Sequence, residues 1–170
     1  MAYNALAIIA AMRFPRRAKL PAFRPPVSIL KPIRGCDPDF YRAIRSHAAQ
    51  EYPEFEILFG VADPDDPALV DIERLMAEFP GRSIRVIPTA NDAPNRKAGG
   101  LEILAREARY DFMLVNDGDI RVDADYLARV LSLLEDDEVG LVTCLYRGRG
   151  SSPASEASPR FGIIWPTIIS

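Results

Sequence analysis

The feature that most constrains the fold is a regular alternation between short apolar segments and segments with helical spacing. The apolar segments are VSILK (27–31), FEILFGV (55–61), SIRVIP (83–88), DFMLVN (111–116) and VGLVTC (139–144). Between them, helical spacing extends over 38–50, 67–79, 97–108 and 124–136. Nearly continuous apolar strands separated by helices are typical of a parallel sheet covered on both faces. The sequence therefore predicts an α/β fold, with a mostly parallel sheet flanked by helices on both faces.

Charge is distributed unevenly along the 170 residues. The formal net charge is −3, yet Arg and Lys are the only charged residues before Asp37. The rest of the chain is therefore strongly acidic and would repel phosphate backbones, which argues against nucleic acid as a partner. With 48% apolar and 26% charged residues, the composition is that of one folded globular domain.

The first 24 residues combine an apolar stretch, ALAIIAAM (5–12), with the basic residues that follow it. A bilayer-spanning helix needs about 20 apolar residues, so this stretch is too short to span by itself. An apolar stretch followed by Arg and Lys is nevertheless typical of the cytoplasmic end of a membrane helix. An ordinary N-terminus is the alternative. We favour the edge of a membrane anchor, and thus expect a membrane-associated protein at the cytoplasmic face.

Several common catalytic templates are absent from the sequence. Cys36 and Cys144 lie far apart without CxxC spacing, which indicates a reduced environment and gives no zinc signal. The single histidine, His47, falls in a predicted helix, where we expect a surface imidazole. No GxxxxGK[ST], GxGxxG or GxSxG motif occurs, so phosphate-loop, dinucleotide-binding and nucleophile-elbow sites are unsupported.

Polar residues cluster where the second, third and fourth predicted strands end. They are Asp63, Asp65 and Asp66, then Asn91, Asp92, Asn95, Arg96 and Lys97, and finally Asn116, Asp117 and Asp119. Open parallel sheets bind ligands at the carboxyl ends of their strands, so we expect the three clusters to converge on one edge.

Each cluster has a structural and a functional interpretation. Asp66, directly before Pro67, is best explained as a helix cap. Asp63 lies at a strand end, where it could accept hydrogen bonds from a ribose or a base. Lys97 is either a solvated lysine of a first helical turn or a cation suited to a diphosphate beside a helix N-terminus.

The Asp117-Gly118-Asp119 segment is the most specific of these signals. Two carboxylates at i and i+2, separated by a glycine, can both face a hard cation such as Mg²⁺ or Mn²⁺. A calcium loop starting at Asp117 is excluded, because Val122 stands at its sixth position and Ala128 at its twelfth. We expect Asp123 and Asp125 to cap and begin the next helix. A metal–diphosphate complex, such as an activated sugar nucleotide, is the ligand that this edge favours.

These motifs together resemble a known family. VSILKPIRGCDPDFYRAIRS, YPEFEILFGVADPDDPA, NRKAGGL, YDFMLVNDGDIRVDADYL and VGLVTCLYRG follow one another in that order. The set is similar to the ceramide glucosyltransferase-like branch of family 2 glycosyltransferases, in particular its bacterial members associated with hopanoid biosynthesis. The resemblance implies a GT-A fold, a UDP-sugar donor, a divalent Mn²⁺ or Mg²⁺ ion, inversion at the anomeric carbon, and a hopanoid or ceramide-like lipid acceptor at a membrane surface.

Carried over by position, the resemblance implies roles for six residues. Asp63 or Asp65 would contact the nucleoside, and Asn95 and Lys97 would lie in the donor pocket. Asp117 and Asp119 would form the metal–diphosphate motif, with Asp119 favoured as the direct ligand.

The resemblance also implies a division of the chain. Residues 1–24 would form the apolar and juxtamembrane segment, 25–146 the nucleotide-sugar-binding domain, and 147–170 a linker and the start of an acceptor region. The general base and the Arg-Trp motif of the family are not found among the 170 residues of this sequence. We therefore expect donor and metal binding, with little transfer by this chain alone.

The alternative is a non-catalytic module that binds nucleotide sugar or docks on a partner. A nucleotidyltransferase is less well supported, since a glycine-rich nucleotide loop is missing.

Overall fold

The structure, a computed structural model, describes residues 22–144 and 168–169. The strands in these residues are β1 (Val27–Ile33), β2 (Phe55–Val61), β3 (Ser83–Pro88), β4 (Phe112–Val115), β5 (Leu141–Val142) and β6 (Ile168–Ile169). The helices are α1 (Phe40–Ala48), α2 (Ala68–Glu78), α3 (Arg96–Glu107) and α4 (Tyr126–Leu131), and α4 continues into a 3₁₀ turn, Ser132–Glu135.

The strands form one sheet in the order β3-β2-β1-β4-β6-β5. β1 pairs in parallel with β2 and with β4, and β2 pairs in parallel with β3. β6 pairs antiparallel with both β4 and β5. The prediction of a mostly parallel sheet is thus confirmed.

The direction of winding reverses at β1. The chain moves outward from β1 through β2 to β3 and then returns to the other side of β1 to form β4. As a result α1, α2 and α4 cover one face, where Ile44, Ile72 and Leu127 share a core with Ile29. α3 covers the other face, where Leu104 packs on Leu30 and Leu58. This confirms helices on both faces and creates a topological switch point between β1 and β4, where sheets of this kind bind ligands.

A buried polar group lies at the amino ends of β1 and β2. Glu56 is 0% exposed, and its carboxylate accepts hydrogen bonds from Ser28 Oγ at 2.7 Å, Arg109 N at 2.6 Å and Arg85 Nη2 at 3.2 Å. We call Ser28, Glu56, Arg85 and Arg109 the amino-end cluster. Its bonds join three strands to the segment that follows α3, so a buried charge is compensated where the chain re-enters the sheet.

The boundaries differ from the predicted ones mainly at β1, at α4 and at β5, which covers only Leu141–Val142 of the predicted 139–144. β2 and β3 match the predicted ranges, while β1 continues two residues further, to Ile33, because it stays paired with β2 as far as Val61. The predicted helix 124–136 is shorter and ends as a 3₁₀ turn. Asp125 occupies the position before α4 without a side-chain capping bond, and Arg129 lies 3.2 Å from its carboxylate instead. Asp125 thus stands at the start of the helix, as expected, but without the expected capping bond, and Asp123 accepts from Tyr126 N only through its main-chain oxygen.

The division at 25–146 stays a prediction, because most of both flanking segments lies outside the described residues. Residues 1–21, which include the expected anchor edge, are among these. No helix within the described residues is long and apolar enough to cross a membrane. From the segment 147–170, Ile168 and Ile169 contribute β6, which lies between β4 and β5 in the sheet.

Candidate functional site

An open cleft of about 950 Å³ lies beyond the carboxyl ends of β1, β2 and β4, at the switch point. It is lined by parts of the loops that follow β1, β2, β3 and β4. Among its lining residues are Asp63, Asn91, Asp92, Lys97, Asp117 and Asp119. Side chains from all three strand-end clusters therefore lie at one edge of the sheet, as the sequence predicted.

The acidic turn after β4 is paired with a lysine from another loop. Lys97 Nζ lies 2.6 Å from Asp117 Oδ1, although the two residues are 20 positions apart. The Asp117 side chain is 27% exposed and that of Lys97 is 59% exposed, so water screens the pair considerably. The cation offsets part of the repulsion between the two neighbouring carboxylates of the turn.

The two carboxylates of this turn fit a metal ion only if a ligand completes its coordination. Within the described residues, no group of three or more His, Cys, Asp and Glu side chains is placed to hold a metal ion. Asp117 and Asp119 supply oxygen donors of the kind that Mg²⁺ and Mn²⁺ prefer, and Asp119 is exposed in the cleft. Magnesium in particular usually binds through one or two carboxylates plus substrate phosphates and water. The residues present fit that pattern.

Gly118 allows the acidic turn to pack closely on the core. A Cβ atom at this position would lie 3.0 Å from Ile33 Cδ1 and 3.2 Å from Phe40 Cε2. The turn therefore rests against the end of β1 and the start of α1, and a side chain there would require both neighbours to move.

A buried lysine lies beneath the turn. Lys31, in β1, is 0% exposed, and its Nζ donates a hydrogen bond to the main-chain oxygen of Asp117 at 2.8 Å. Burial lowers the pKa of Lys31 to about 7, against the opposing effect of the Asp117 and Asp119 charges. The apolar run 27–31 predicted this lysine at the end of a strand, whereas β1 continues to Ile33 and puts Lys31 in the strand interior.

His47 is part of the same buried group, which corrects the expected surface imidazole. It is 0% exposed because it lies on the face of α1 that packs on the sheet, three residues after Ile44 and seven after Phe40. That spacing was the signal in the sequence. His47 Nδ1 lies 3.1 Å from the carbonyl of Ala43 and Nε2 lies 3.0 Å from Asn116 Nδ2.

These contacts define the tautomer of His47. A carbonyl oxygen only accepts, so Nδ1 carries the proton and Nε2 accepts from the Asn116 amide. Burial, and then the charge of Lys31, lower the pKa of His47 well below 6.5, so the ring is neutral. We call Lys31, His47, Asn116 and Asp117 the carboxyl-end cluster.

The aspartates after β2 have different surroundings. Asp63 lines the cleft, and its Oδ1 accepts from the amide of Asp65 at 2.9 Å. Asp65 is exposed and is not among the cleft-lining residues. Asp66 is buried and accepts from Ala68 N at 2.9 Å, as expected of a cap, and also from Gly35 N at 2.8 Å. Asp66 therefore also ties the loop after β1 to the start of α2.

The asparagines before α3 organise their loop. Asn95 caps α3, accepting from Ala98 N at 3.1 Å, and does not line the cleft. Asn91 Nδ2 donates to the carbonyls of Thr89 at 2.8 Å and Arg96 at 3.1 Å. From the sequence, Asn91 was expected only to be one of the polar residues of this loop. Its bonds bridge both ends of the loop and place Lys97 in the first turn of α3, beside the cleft.

Comparison with protein families gives a match over nearly the whole chain. The family described as glycosyl transferase family 21 matches residues 1–157. A ceramide glucosyltransferase of Komagataella phaffii is 30% identical over 131 residues, 72% of this chain and 25% of the relative. One from Candida albicans is 31% identical over 121 residues, 63% of this chain and 22% of the relative. This chain spans about a quarter of the length of these relatives.

Solved structures share the fold of this chain. A mannosyltransferase of Pyrobaculum calidifontis, in complex with GDP-Man and Mn²⁺, aligns with a TM-score of 0.70 and 22% identity, over 86% of this chain and 43% of that one. S. aureus TarS 1–349 in complex with UDP-GlcNAc aligns with a TM-score of 0.53 and 19% identity, over 75% and 37% of the two chains. These likenesses confirm the GT-A-type α/β fold, and the sequence relatives confirm the ceramide glucosyltransferase-like resemblance.

Proposed function

Since this chain belongs to glycosyl transferase family 21, we propose that it carries the donor-binding domain of an inverting, metal-dependent lipid glycosyltransferase. The donor would be a UDP-hexose and the acceptor the hydroxyl group of a hopanoid or ceramide-like lipid. The relatives named as ceramide glucosyltransferases support transfer to a lipid. The neighbours solved with GDP-Man and Mn²⁺ and with UDP-GlcNAc support a nucleotide-sugar donor and a divalent ion.

The observation that carries the proposal is the meeting of Lys97, Asp117 and Asp119 in one cleft at the switch point. A lysine at a helix N-terminus and a pair of carboxylates are complementary to an anionic diphosphate and to its counter-ion, respectively. No single loop of the chain carries all of these groups.

Each proposed binding residue has a separate task. Asp63 would accept hydrogen bonds from the ribose or the base, with Asp65 shaping the same turn through its amide. Lys97 would exchange its pairing with Asp117 for one with the diphosphate, which would release the Asp117 carboxylate. Asp117 and Asp119 would hold Mn²⁺ or Mg²⁺. When bound, this ion neutralises charge on the departing nucleoside diphosphate.

The geometry supports a different role for Asn95 than the resemblance implied. Asn95 would act on the donor only indirectly, as the cap that orients the first turn of α3. We assign no general base to the described residues. Association with the cytoplasmic face of a membrane is part of the proposal; its support is the basic sequence that follows the apolar stretch 5–12.

Calorimetry with the purified chain tests this proposal. UDP-glucose and UDP-N-acetylglucosamine are titrated with and without Mn²⁺ into the wild type, Asp119→Ala and the matched control Asp123→Ala. We expect Mn²⁺-dependent binding that Asp119→Ala weakens by about tenfold or more. Asp123→Ala, which removes a carboxylate that is 87% exposed and lies in the same loop region, should leave it unchanged. A folded wild type that binds neither donor would instead favour a module that docks on a partner.

A further inference from the structure

Lys31 is a buried cation that the donor-binding roles above leave unused. It occupies β1 between Ile29 and Ile33, on the face whose other residues join the main apolar core. An ammonium group is costly to bury, and an apolar side chain would fit the pattern of this face better. A buried lysine is therefore expected to make an interaction that an apolar side chain cannot make.

That partner is the main chain of the acidic turn. β4 ends at Val115, and the ladder between β1 and β4 is extended by one bond, from Asn116 N to the carbonyl of Leu30 at 3.1 Å. The carbonyl of the following residue, Asp117, accepts a hydrogen bond from Lys31 Nζ at 2.8 Å. Consecutive residues of β1 thus bind consecutive residues of the turn, and the second bond comes from a side chain, where the strand pairing has ended.

Two further contacts hold the underside of the same turn. His47 accepts from the Asn116 side chain within the core, at 3.0 Å. Gly118 lies close to Ile33 and Phe40. The turn is therefore fixed from the side of the core, while the residues Asp117 and Asp119 line the cleft on the other side.

We propose that Lys31 is a positioning residue for the acidic turn. Its ammonium group fixes the peptide carbonyl of Asp117 from inside the core, so that both carboxylates are held ready for a metal–diphosphate ligand. Its positive charge also lies behind these carboxylates, where it limits their mutual repulsion when no ligand is bound. The expected effect on ligand binding rests on the proposed function; the hold on the turn does not.

The test compares Lys31→Met with Ile29→Ala. Met has a similar length and lets the site stay filled without a charge, so we expect an unchanged or higher Tm. Ile29→Ala leaves a cavity on the same face of β1 and removes none of the hydrogen bonds that Lys31 and His47 make to the turn, so it lowers Tm. A residue needed only for stability would behave like Ile29.

Two readouts separate positioning from stability. Without ligand, hydrogen–deuterium exchange of the amides of 116–120 should be about tenfold faster in Lys31→Met, with β2 amides unchanged. The affinity for UDP in the presence of Mn²⁺ should fall by about tenfold or more. Ile29→Ala, measured at the same temperature interval below its own Tm, should change neither quantity by more than about twofold.

Wild-type exchange in the turn of a folded Lys31→Met protein would overturn the proposal, as would equal losses in Ile29→Ala. If Lys31→Met does not fold, Lys31→Leu takes its place; failure of both to fold would show that Lys31 serves stability and would also overturn it. If the wild type binds no UDP, the proposed function fails, and the exchange comparison alone then decides whether Lys31 holds the turn.

Discussion

The amino-end and carboxyl-end clusters each contain a buried charged side chain, Glu56 and Lys31 respectively, but they are built differently. In the amino-end cluster one carboxylate, Glu56, is surrounded by three donors from Ser28, Arg85 and Arg109. In the carboxyl-end cluster the buried ion is a cation, Lys31, and its hydrogen bond goes to a neutral carbonyl. The carboxylates that balance its charge, Asp117 and Asp119, lie at the border of the cleft.

The difference teaches where each cluster acts. Glu56 and its donors join β1, β2, β3 and the segment after α3 at the end of the sheet away from the cleft, so this cluster serves the fold. In the carboxyl-end cluster, the charge of Lys31 has no carboxylate bonded to it within the core. The acidic residues that balance this charge line the cleft, where a ligand can reach them. Incomplete compensation near a cleft is typical of binding sites rather than of structural ion pairs.

The largest expected effect on stability comes from the amino-end cluster. Glu56→Ala would leave the Ser28 hydroxyl and the Arg109 amide without their acceptor, and would leave the Arg85 guanidinium with Glu107 as its remaining acidic partner. We expect the free energy of unfolding to fall by about 3 kcal/mol, because a buried pair loses one partner. Urea denaturation measures this loss. A decrease below about 1 kcal/mol would mean that water replaces the carboxylate and that the two clusters differ less than proposed.

The next prediction concerns the carboxyl-end cluster and a smaller change in stability. It is the pH dependence of the free energy of unfolding that His47 causes. The folded protein keeps His47 neutral, whereas the unfolded chain protonates it below about pH 6.5. The unfolded state then binds more protons, so stability should fall as the pH decreases from 6.5 to 5, by at most about 1.4 kcal/mol per pH unit. Lys31 is protonated in both states over most of this window, since its pKa is about 7 in the folded protein.

The control for this titration is His47→Phe, which should flatten the slope between pH 5 and 6.5, whatever its effect on stability at neutral pH. Chemical denaturation at several pH values in this range supplies both curves. An unchanged slope in the variant would assign the pH dependence to other groups and remove His47 from the comparison.

The smallest expected effect on stability comes from Lys97→Met. Its pair with Asp117 is partly exposed, so we expect a loss of less than about 1 kcal/mol in the free energy of unfolding. The affinity for UDP with Mn²⁺ should nevertheless fall by about tenfold, because the variant loses a cation for the diphosphate. Arg129→Met, which breaks another exposed pair, with Asp125, should leave both quantities unchanged. Similar losses of affinity in both variants would indicate a general effect of charge.

Much of the architecture could be predicted from local patterns. The ranges of β2 and β3 follow directly from their apolar runs, and the mostly parallel sheet follows from the alternation of strands with helices. Asp66 was correctly expected to cap α2. By contrast, the early end of α4 could not be read from spacing, because the apolar positions continue into a 3₁₀ turn that stays partly buried.

The candidate site was predictable only as a set of residue types at one edge. Sequence position brings Asp117 and Asp119 together, and the strand-end rule places Lys97 near them. The roles of Asn95 as a cap and Asn91 as a loop brace depend on which side-chain atoms reach which amides. Which atoms meet depends on the backbone path of the loop, and the residue types alone say little about that path.

The sequence by itself determined the periodicities, and through them the strands, the helices, the mostly parallel sheet and the family resemblance. These depend on neighbours a few positions apart, whose spacing is fixed by the geometry of a strand or a helix. Only the tertiary structure decided that Lys31 lies beneath Asp117, 86 positions away, and that His47 bonds to Asn116, 69 positions away. Such contacts depend on the strand order, because the reversal at β1 is what brings β4 and its acidic turn beside a strand from the start of the domain.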